Sequence, residues 1–119
     1  MNILDELKAV LAAKNIPPPY LGYLPAEPTD CVALFEYSPA PPEHHFGGVD
    51  FIYGVQTRCR ALRSADAYAS AKSILGALNR YCDKKISVLA KTPILDIGRD
   101  NMNPQNQEYT VNFEIRRLS

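Results

Sequence analysis

Strict alternation of apolar and polar residues in two long stretches constrains this chain most. It runs from Gln107 to Leu118 and again from Tyr53 to Leu62. Successive side chains of a strand point to opposite faces of its sheet, so each stretch predicts a strand with one buried face and one polar face. The aromatic residues of these strands fall on the buried side. The polar side carries Gln56, Arg58, Arg60, Thr110, Asn112, Glu114 and Arg116. A band of this kind favours assembly with other proteins over catalysis.

Size and charge narrow the class of protein further. A length of 119 residues predicts one domain, residues 1–119. The 13 basic and 13 acidic residues balance, which removes the usual electrostatic drive for non-specific binding to nucleic acid or membranes. No apolar stretch approaches the roughly 20 residues that span a bilayer, and the N-terminus lacks the pattern of a secretory signal. Three widely spaced cysteines suit reduced thiols, so we expect folding in a cytoplasm.

The remaining patterns predict two helices and further strands. An apolar stripe predicts an amphipathic helix over residues 2–14, with Asn2 as its cap and Asp5 and Glu6 in its first turn. A second helix is predicted from Ser64 or Asp66 to Cys82. Its apolar stripe is expected to comprise Tyr68, Ala71, Leu75, Leu78 and Cys82, with Ile74 and Tyr81 beside it. Strands are predicted over 31–37, 52–62, 92–97 and 107–118, with shorter ones possible at 20–24 and 86–89.

These elements predict an α+β fold in the order α-β-β-α-β-β. The sheet would have roughly four strands, mainly antiparallel, with both helices packed on one face. The other face would then belong to solvent or to a partner. Residues 38–50 and 98–106 are expected to be long loops, and long ordered loops in small domains are often functional.

Candidate catalytic and metal-binding residues have simpler structural explanations. His44 and His45 are adjacent, so on an extended chain they point to opposite sides, and no second ligand pair has the usual zinc spacing. Cys31, Cys59 and Cys82 lie in apolar patterns where inert buried thiols are normal. Asp96 and Asp100 lack a matched acid or a phosphate-binding loop. We therefore expect no catalytic residues, no metal and no cofactor.

Arginines and tyrosines on the strands raise the alternative of a sheet that binds single-stranded nucleic acid. That function requires aromatic side chains on the exposed face, where bases would stack. Since the pattern assigns the aromatics to the opposite face, and Glu114 lies among the arginines, contact with a protein surface is favoured. A solvated face without a partner is the remaining alternative.

Several segments together resemble the phage minor capsid proteins of the tail-terminator type. The segments are Gly22–Pro25 with Glu27–Leu34, Val55–Arg60 (VQTRCR), Tyr68–Leu78, and Ile97–Asp100 with Glu108–Ile115. The resemblance covers nearly the whole chain and keeps the motif order. The polar turn 103–107 is longer than the compact turn expected there.

The resemblance implies a structural role without a cofactor. Such proteins form a ring, typically of six, that caps the head-proximal end of the tail tube, stops tail polymerisation and provides the head–tail joining surface. The implied partners are other copies of the chain, the tail tube protein and a head-completion or neck protein. The ring leaves room for DNA to pass, with no specific nucleic-acid binding and no membrane. The implied location is the virion, at the tail end or neck, after assembly in the host bacterial cytoplasm.

Two sets of residues are the candidate contacts. The candidates for subunit or partner contacts are Gln56, Arg58, Arg60, Arg99, Asp100, Asn112, Glu114 and Arg116. The candidates for loop contacts with the tube or the neck are His44, His45 and Phe46. Another neck or head-completion protein, a small nucleic-acid-binding sheet protein, and a small enzyme using Cys59 or His44 are the alternative functions.

Overall fold

The computed structural model describes residues 3–25, 29–37, 43–45, 48–99 and 107–118, with backbone alone at 43–45, 48–50, 99 and 118. Two helices and seven strands lie in this part of the chain. The helices are α1 (Ile3–Ala13) and α2 (Ser64–Leu78). The strands are β1 (Tyr20–Leu21), β2 (Cys31–Tyr37), β3 (Glu43–His45), β4 (Gly48–Ala61), β5 (Ile86–Ala90), β6 (Leu95–Arg99) and β7 (Gln107–Leu118). The predicted α+β class is confirmed.

The sheet is larger than the predicted four strands and is mixed. Its main order is β1-β2-β4-β7-β5, with β3 paired to β4 and β6 paired to β7. The pair β1–β2 is parallel and the other pairs are antiparallel. The 12 residues of β7 are long enough for β5 and β6 to pair one after the other along the same edge. Short strands with few alternating positions give little periodic signal, which is why the sequence predicted fewer.

Both helices pack on one face of the sheet, as predicted. In α1 the buried residues are Ile3, Leu4, Leu7 and Leu11. They join a core with α2 and with the apolar side of the strands, where Val55, Cys59, Val111, Phe113 and Ile115 are buried. Arg117 on this same side pairs with Glu6 of α1, which ties the helix to the last strand. The predicted cap Asn2 lies outside the described residues.

The predicted extent of the second helix is wrong at its C-terminal end. Helix α2 ends at Leu78, and Arg80 has a left-handed backbone (φ 65). The chain then returns along β5, because Arg80 N donates to Val88 O (2.9 Å) and Val88 N donates to Tyr81 O (2.8 Å). Cys82 forms a bridge with Ser87 instead of a helical turn.

The predicted apolar stripe of α2 is also displaced. The buried residues are Ala67, Ala71, Ile74, Ala77 and Leu78, whereas Tyr68 is 46% exposed and Leu75 is half-buried. Small alanines let the helix lie close to the sheet, so the larger residues at the margin of the stripe remain partly in solvent.

Two predicted loops and one strand boundary also require correction. Residues 43–45 and 48–50 are paired strands, although the whole segment 38–50 was predicted to be loop. Strand β6 begins at Leu95 instead of residue 92, and it includes Gly98 and Arg99, which were assigned to the following loop. Before it, the Thr92 hydroxyl accepts the hydrogen bond of Asn112 N (3.1 Å). A side chain therefore replaces the backbone ladder at this point.

The open face of the sheet as a candidate interface

The face of the sheet opposite the helices, which we name the open face, is built from four cross-strand rows. Residues opposite each other in antiparallel strands share a side of the sheet, so the register defines the rows. They are Cys31–Arg60–Glu108, Ala33–Arg58–Thr110–Leu95, Phe35–Gln56–Asn112 and Tyr37–Gly54–Glu114–Leu89. Arg116 follows on β7, opposite Ile52 of β4. The structure therefore brings Gln56, Arg58, Arg60, Asn112, Glu114 and Arg116 onto one face.

Arg58 lies near the centre of the open face. Its Nη2 atom is 3.2 Å from Glu108 Oε1, and its guanidinium carbon lies 5.9 Å from the centroid of the Phe35 ring. The Arg58 side chain is 36% exposed, whereas that of Glu108 is 11% exposed. The arginine therefore neutralises a carboxylate that is largely withdrawn from water. Charge reversal at Arg58 would place two carboxylates together here.

Arg60 is the predicted contact residue whose placement differs most from the others. It is only 6% exposed. Its guanidinium donates to Thr29 O (3.0 Å), to Pro25 O and to Cys31 Sγ (3.3 Å). Arg60 therefore holds the segment before β2 against the sheet. Thr110, which was expected to be exposed, is 2% exposed and donates to Thr57 O (2.6 Å), because β7 is flanked by strands on both sides.

Glu114, Arg116 and Asn112 form the accessible polar part of the open face on β7. Arg116 Nε is 3.6 Å from Glu114 Oε2, and both side chains are partly exposed. Gln56 lies directly opposite Asn112 across the β4–β7 pair. The Asn112 Oδ1 atom is covered and has no hydrogen-bond partner among the described residues. A partly exposed ion pair such as Arg116–Glu114 contributes about 0–1 kcal/mol to folding, so its two side chains remain available for intermolecular contacts.

Two aromatic residues on the open face were missed by the sequence pattern. The expectation that the aromatics lie on the opposite face holds for Tyr109 and Phe113 but is wrong for Phe35 and Tyr37. The Tyr37 ring lies against Gly54, where an added Cβ would be 2.1 Å from Tyr37 Cε2. Strand β2 is nearly all apolar, so its facing was hidden in the sequence. The isolated Gly54 within a strand was the available signal of close approach.

Burial and charge both act on the Tyr37 hydroxyl. Burial, and secondly the Glu114 carboxylate, raise the pKa of Tyr37 above its usual range. The hydroxyl therefore stays protonated at neutral pH and donates to Phe113 O (3.5 Å). Tyr37 nevertheless remains 43% exposed, which leaves much of its ring accessible at the edge of the sheet.

The other candidate contact residues are only partly described. Arg99 is the last residue of β6, and its side chain lies outside the described residues, as does all of Asp100. His44 and His45 lie on β3 with only their backbone described, and Phe46 lies outside the described part. Where their backbone is described it pairs with β7 or β4, but no side-chain contact with the open face is described for these residues.

Cys59, which the sequence analysis considered as a nucleophile, is not an activated thiol. Burial raises the pKa of Cys59 to about 12, and burial also raises the pKa of Cys31. Because the thiolate is the nucleophile, Cys59 is unreactive at neutral pH. Within the described ranges, no three His, Cys, Asp or Glu residues are grouped to hold a metal ion. Neither described helix has the length and apolarity needed to cross a membrane.

A groove of about 530 Å³ lies on the helix side of the sheet. It runs between α2 and the chain that follows α1, and Pro17, Tyr20, Val32 and Ser73 are among its lining residues. Asp30 and Asp66 are the ionisable carboxylates in its lining. Cys31 also lines the groove, so the groove reaches one end of the first open-face row.

Fold and surface together define a small α+β protein whose sheet carries arginine–glutamate pairs on its open face. A sequence profile described as "Bacteriophage tail terminator protein" matches residues 4–117, and the chain belongs to that family. It is accordingly a structural phage tail protein, as its sequence motifs predicted.

Comparison with solved structures supports the fold. A chain from the "Virion of native gene transfer agent (GTA) particle" superposes with a TM-score of 0.59 at 13% sequence identity. The match covers 95% of the present chain and 84% of that chain. Comparison with curated proteins found no match.

Proposed function

We propose that this chain is the subunit of a ring that caps the head-proximal end of the phage tail tube. The whole chain, residues 1–119, would act as one tail-terminator-like domain without catalysis. The observation that carries the proposal is the family match over residues 4–117. The ring would assemble in the host bacterial cytoplasm and remain in the virion at the tail end or neck.

The mechanism would be competitive capping. One surface of the ring matches the last layer of tube subunits, and the opposite surface differs from it, so that no further tube subunit can add. The far surface then receives a head-completion or neck protein. A closed ring, expected to contain six copies, uses head-to-tail contacts in which two different patches of the subunit are complementary.

The accessible polar residues of the open face support a role in such contacts. Arg58, Glu114 and Arg116 carry charge there, and Gln56 and Asn112 supply amides. Arg60 belongs to the internal structure, so we propose that it acts indirectly by positioning the segment before β2. Because contacts through polar surfaces tend to be weak in isolation, the free chain is proposed to be a monomer or weak oligomer and to form rings on the tube or at high concentration.

The proposal is tested by adding the purified chain to polymerising tube protein and measuring tube lengths by electron microscopy. We expect shorter tubes with density at one end. An equal concentration of heat-denatured chain is the control. Tubes of unchanged length and without terminal density would refute capping.

One observation favours a second candidate, binding of single-stranded nucleic acid. Phe35 lies on the open face beside Arg58, and Tyr37 lies on the same face two residues further along β2, where bases could stack. Against this candidate, Arg58 and Arg116 are each close to a carboxylate. A salt titration separates the two functions, since binding through phosphates weakens steeply as salt increases. Absence of binding to an oligonucleotide at low salt would eliminate this candidate.

A further inference from the structure

One cross-strand row of the open face ends in an exposed apolar side chain at each edge of the sheet. The row is Tyr37–Gly54–Glu114–Leu89. Tyr37 is 43% exposed at the β2 edge and Leu89 is 49% exposed at the β5 edge. Two copies placed side by side with their sheets aligned would bring Leu89 of one copy to Tyr37 of the next.

The same two edges carry opposite charge, although the whole chain is neutral. The segment 29–37, which we name the acidic edge and which β1 covers only at Ala33 and Leu34, contains Asp30 and Glu36 and no Lys or Arg. The segment 79–91, which we name the basic edge, contains Asp83 together with four basic residues, Arg80, Lys84, Lys85 and Lys91. Glu36 and all four basic side chains are exposed. The difference in charge would orient one copy relative to the next.

The acidic residue of the basic edge is bound to the backbone of its own turn. Asp83 Oδ1 accepts hydrogen bonds from Lys85 N (2.7 Å) and Ile86 N (2.9 Å). These bonds lower the pKa of Asp83. Four basic residues against this one carboxylate leave the basic edge with a net positive charge.

The backbone at the basic edge limits how the two edges can meet. Ile86 O and Val88 O accept from Asp83 N and Arg80 N, and Val88 N donates to Tyr81 O. The outer side of β5 is thus already paired by the segment 79–83, so an incoming strand has few groups to bind. Contact at this edge must be made by side chains.

We infer that the basic edge of one copy docks against the acidic edge of the next copy, with Leu89 packed near Tyr37. Each copy then uses two different patches, which is the head-to-tail arrangement that closes a ring. This inference rests on the proposed ring and specifies the surfaces that join its subunits.

The test uses charge reversal at each edge of the full-length chain. One variant carries Lys84→Glu and Lys91→Glu, and the other carries Glu36→Lys. Asp30 is spared because its Oδ1 atom accepts from Leu62 N. Lys72→Glu, on the exposed side of α2, is the control for a charge reversal away from both edges. All these side chains are exposed, so each variant should melt within a few degrees of the unmodified chain.

Sedimentation at low salt and high protein concentration measures the association. We expect the association constant of each edge variant alone to be at least about tenfold lower than that of the unmodified chain. The association constant of Lys72→Glu should be unchanged. Mixing the two edge variants should restore association, because each reversed edge then meets a reversed edge. Failure of the unmodified chain to associate, normal association of either variant alone, or no recovery on mixing would overturn the inference.

A tube-length assay on the same variants separates this inference from the proposed function. If both edge variants associate weakly and recover on mixing, but even the unmodified chain leaves tube length unchanged, the edge contact stands and capping fails. If both edge variants associate normally and still cap tubes, capping stands and the edge contact fails.

Discussion

Replacing Arg60 by methionine should destabilise the fold, although a strand pattern alone places this arginine on a solvent-facing side. The side chain is 6% exposed, and its guanidinium donates to Thr29 O and Pro25 O. A hydrogen bond from a charged donor contributes about 1.5–3 kcal/mol. Since the two released carbonyls regain water, we expect a loss of about 2–4 kcal/mol in the free energy of unfolding. For a chain of this length, that loss lowers the Tm by about 8–16 °C.

Thermal unfolding followed by circular dichroism measures this loss, with Arg63→Met as the matched control. Arg63 is exposed just before α2, so its replacement should change stability by less than about 0.5 kcal/mol. A second measurement is local. Release of the segment before β2 should also loosen Asp30, which accepts from Leu62 N (3.1 Å), and so accelerate hydrogen exchange at the Leu62 amide. A Tm of Arg60→Met equal to that of the control, with unchanged exchange at Leu62, would refute the argument.

Three further predictions test the core, an acidic turn and the thiols. Phe113→Ala should cost about 3–5 kcal/mol in urea unfolding, because the ring is fully buried in the core; a cost below that of a surface substitution would contradict this placement. Asp83 has a lowered pKa, owing first to the Ile86 amide, so its contribution to stability is present above the unfolded pKa and is lost as pH falls through the folded pKa. Asp83→Asn should therefore reduce the fall in stability below about pH 4, and an unchanged acid profile would argue against it. Iodoacetamide at pH 8 should label the exposed Cys82 and leave Cys59, with its pKa of about 12, unmodified in mass spectra; labelling of Cys59 in the folded chain would show that it is accessible.

Long periodic segments were predictable because their pattern repeats often enough to be unambiguous. The boundaries of β2 and β7 agree with the sequence prediction, and α1 agrees within one residue at each end. The helix α2 was placed correctly at its start but extended too far. Residues 80–83 pair with β5 a few residues later in the chain, and such a tight return leaves no periodic signal.

Short strands and strand facing depended on partners that the local sequence does not reveal. Strand β1 lies within the short strand suggested at 20–24, but it has two residues and pairs in parallel with β2, so no alternation could define its bounds or its partner. In β2, apolar residues occupy both sides, and only pairing with Gly54 and Gln56 of β4 places Tyr37 and Phe35 on the open face. The prediction that no aromatic side chain lies on that face was therefore wrong, because the register between β2 and β4 determines which side of β2 faces outward.

Arg58 and Arg60 show what a strand pattern can and cannot predict. Because side chains alternate with a period of two, the pattern is sufficient to place both on one side of their strand. Their different environments arise from contacts with other segments of the folded chain. Arg58 keeps an exposed guanidinium beside Glu108, whereas the chain before β2 folds over Arg60 and accepts its hydrogen bonds. The two-residue period of a strand determines the side of the sheet to which a side chain points, whereas its burial depends on which distant segment covers it.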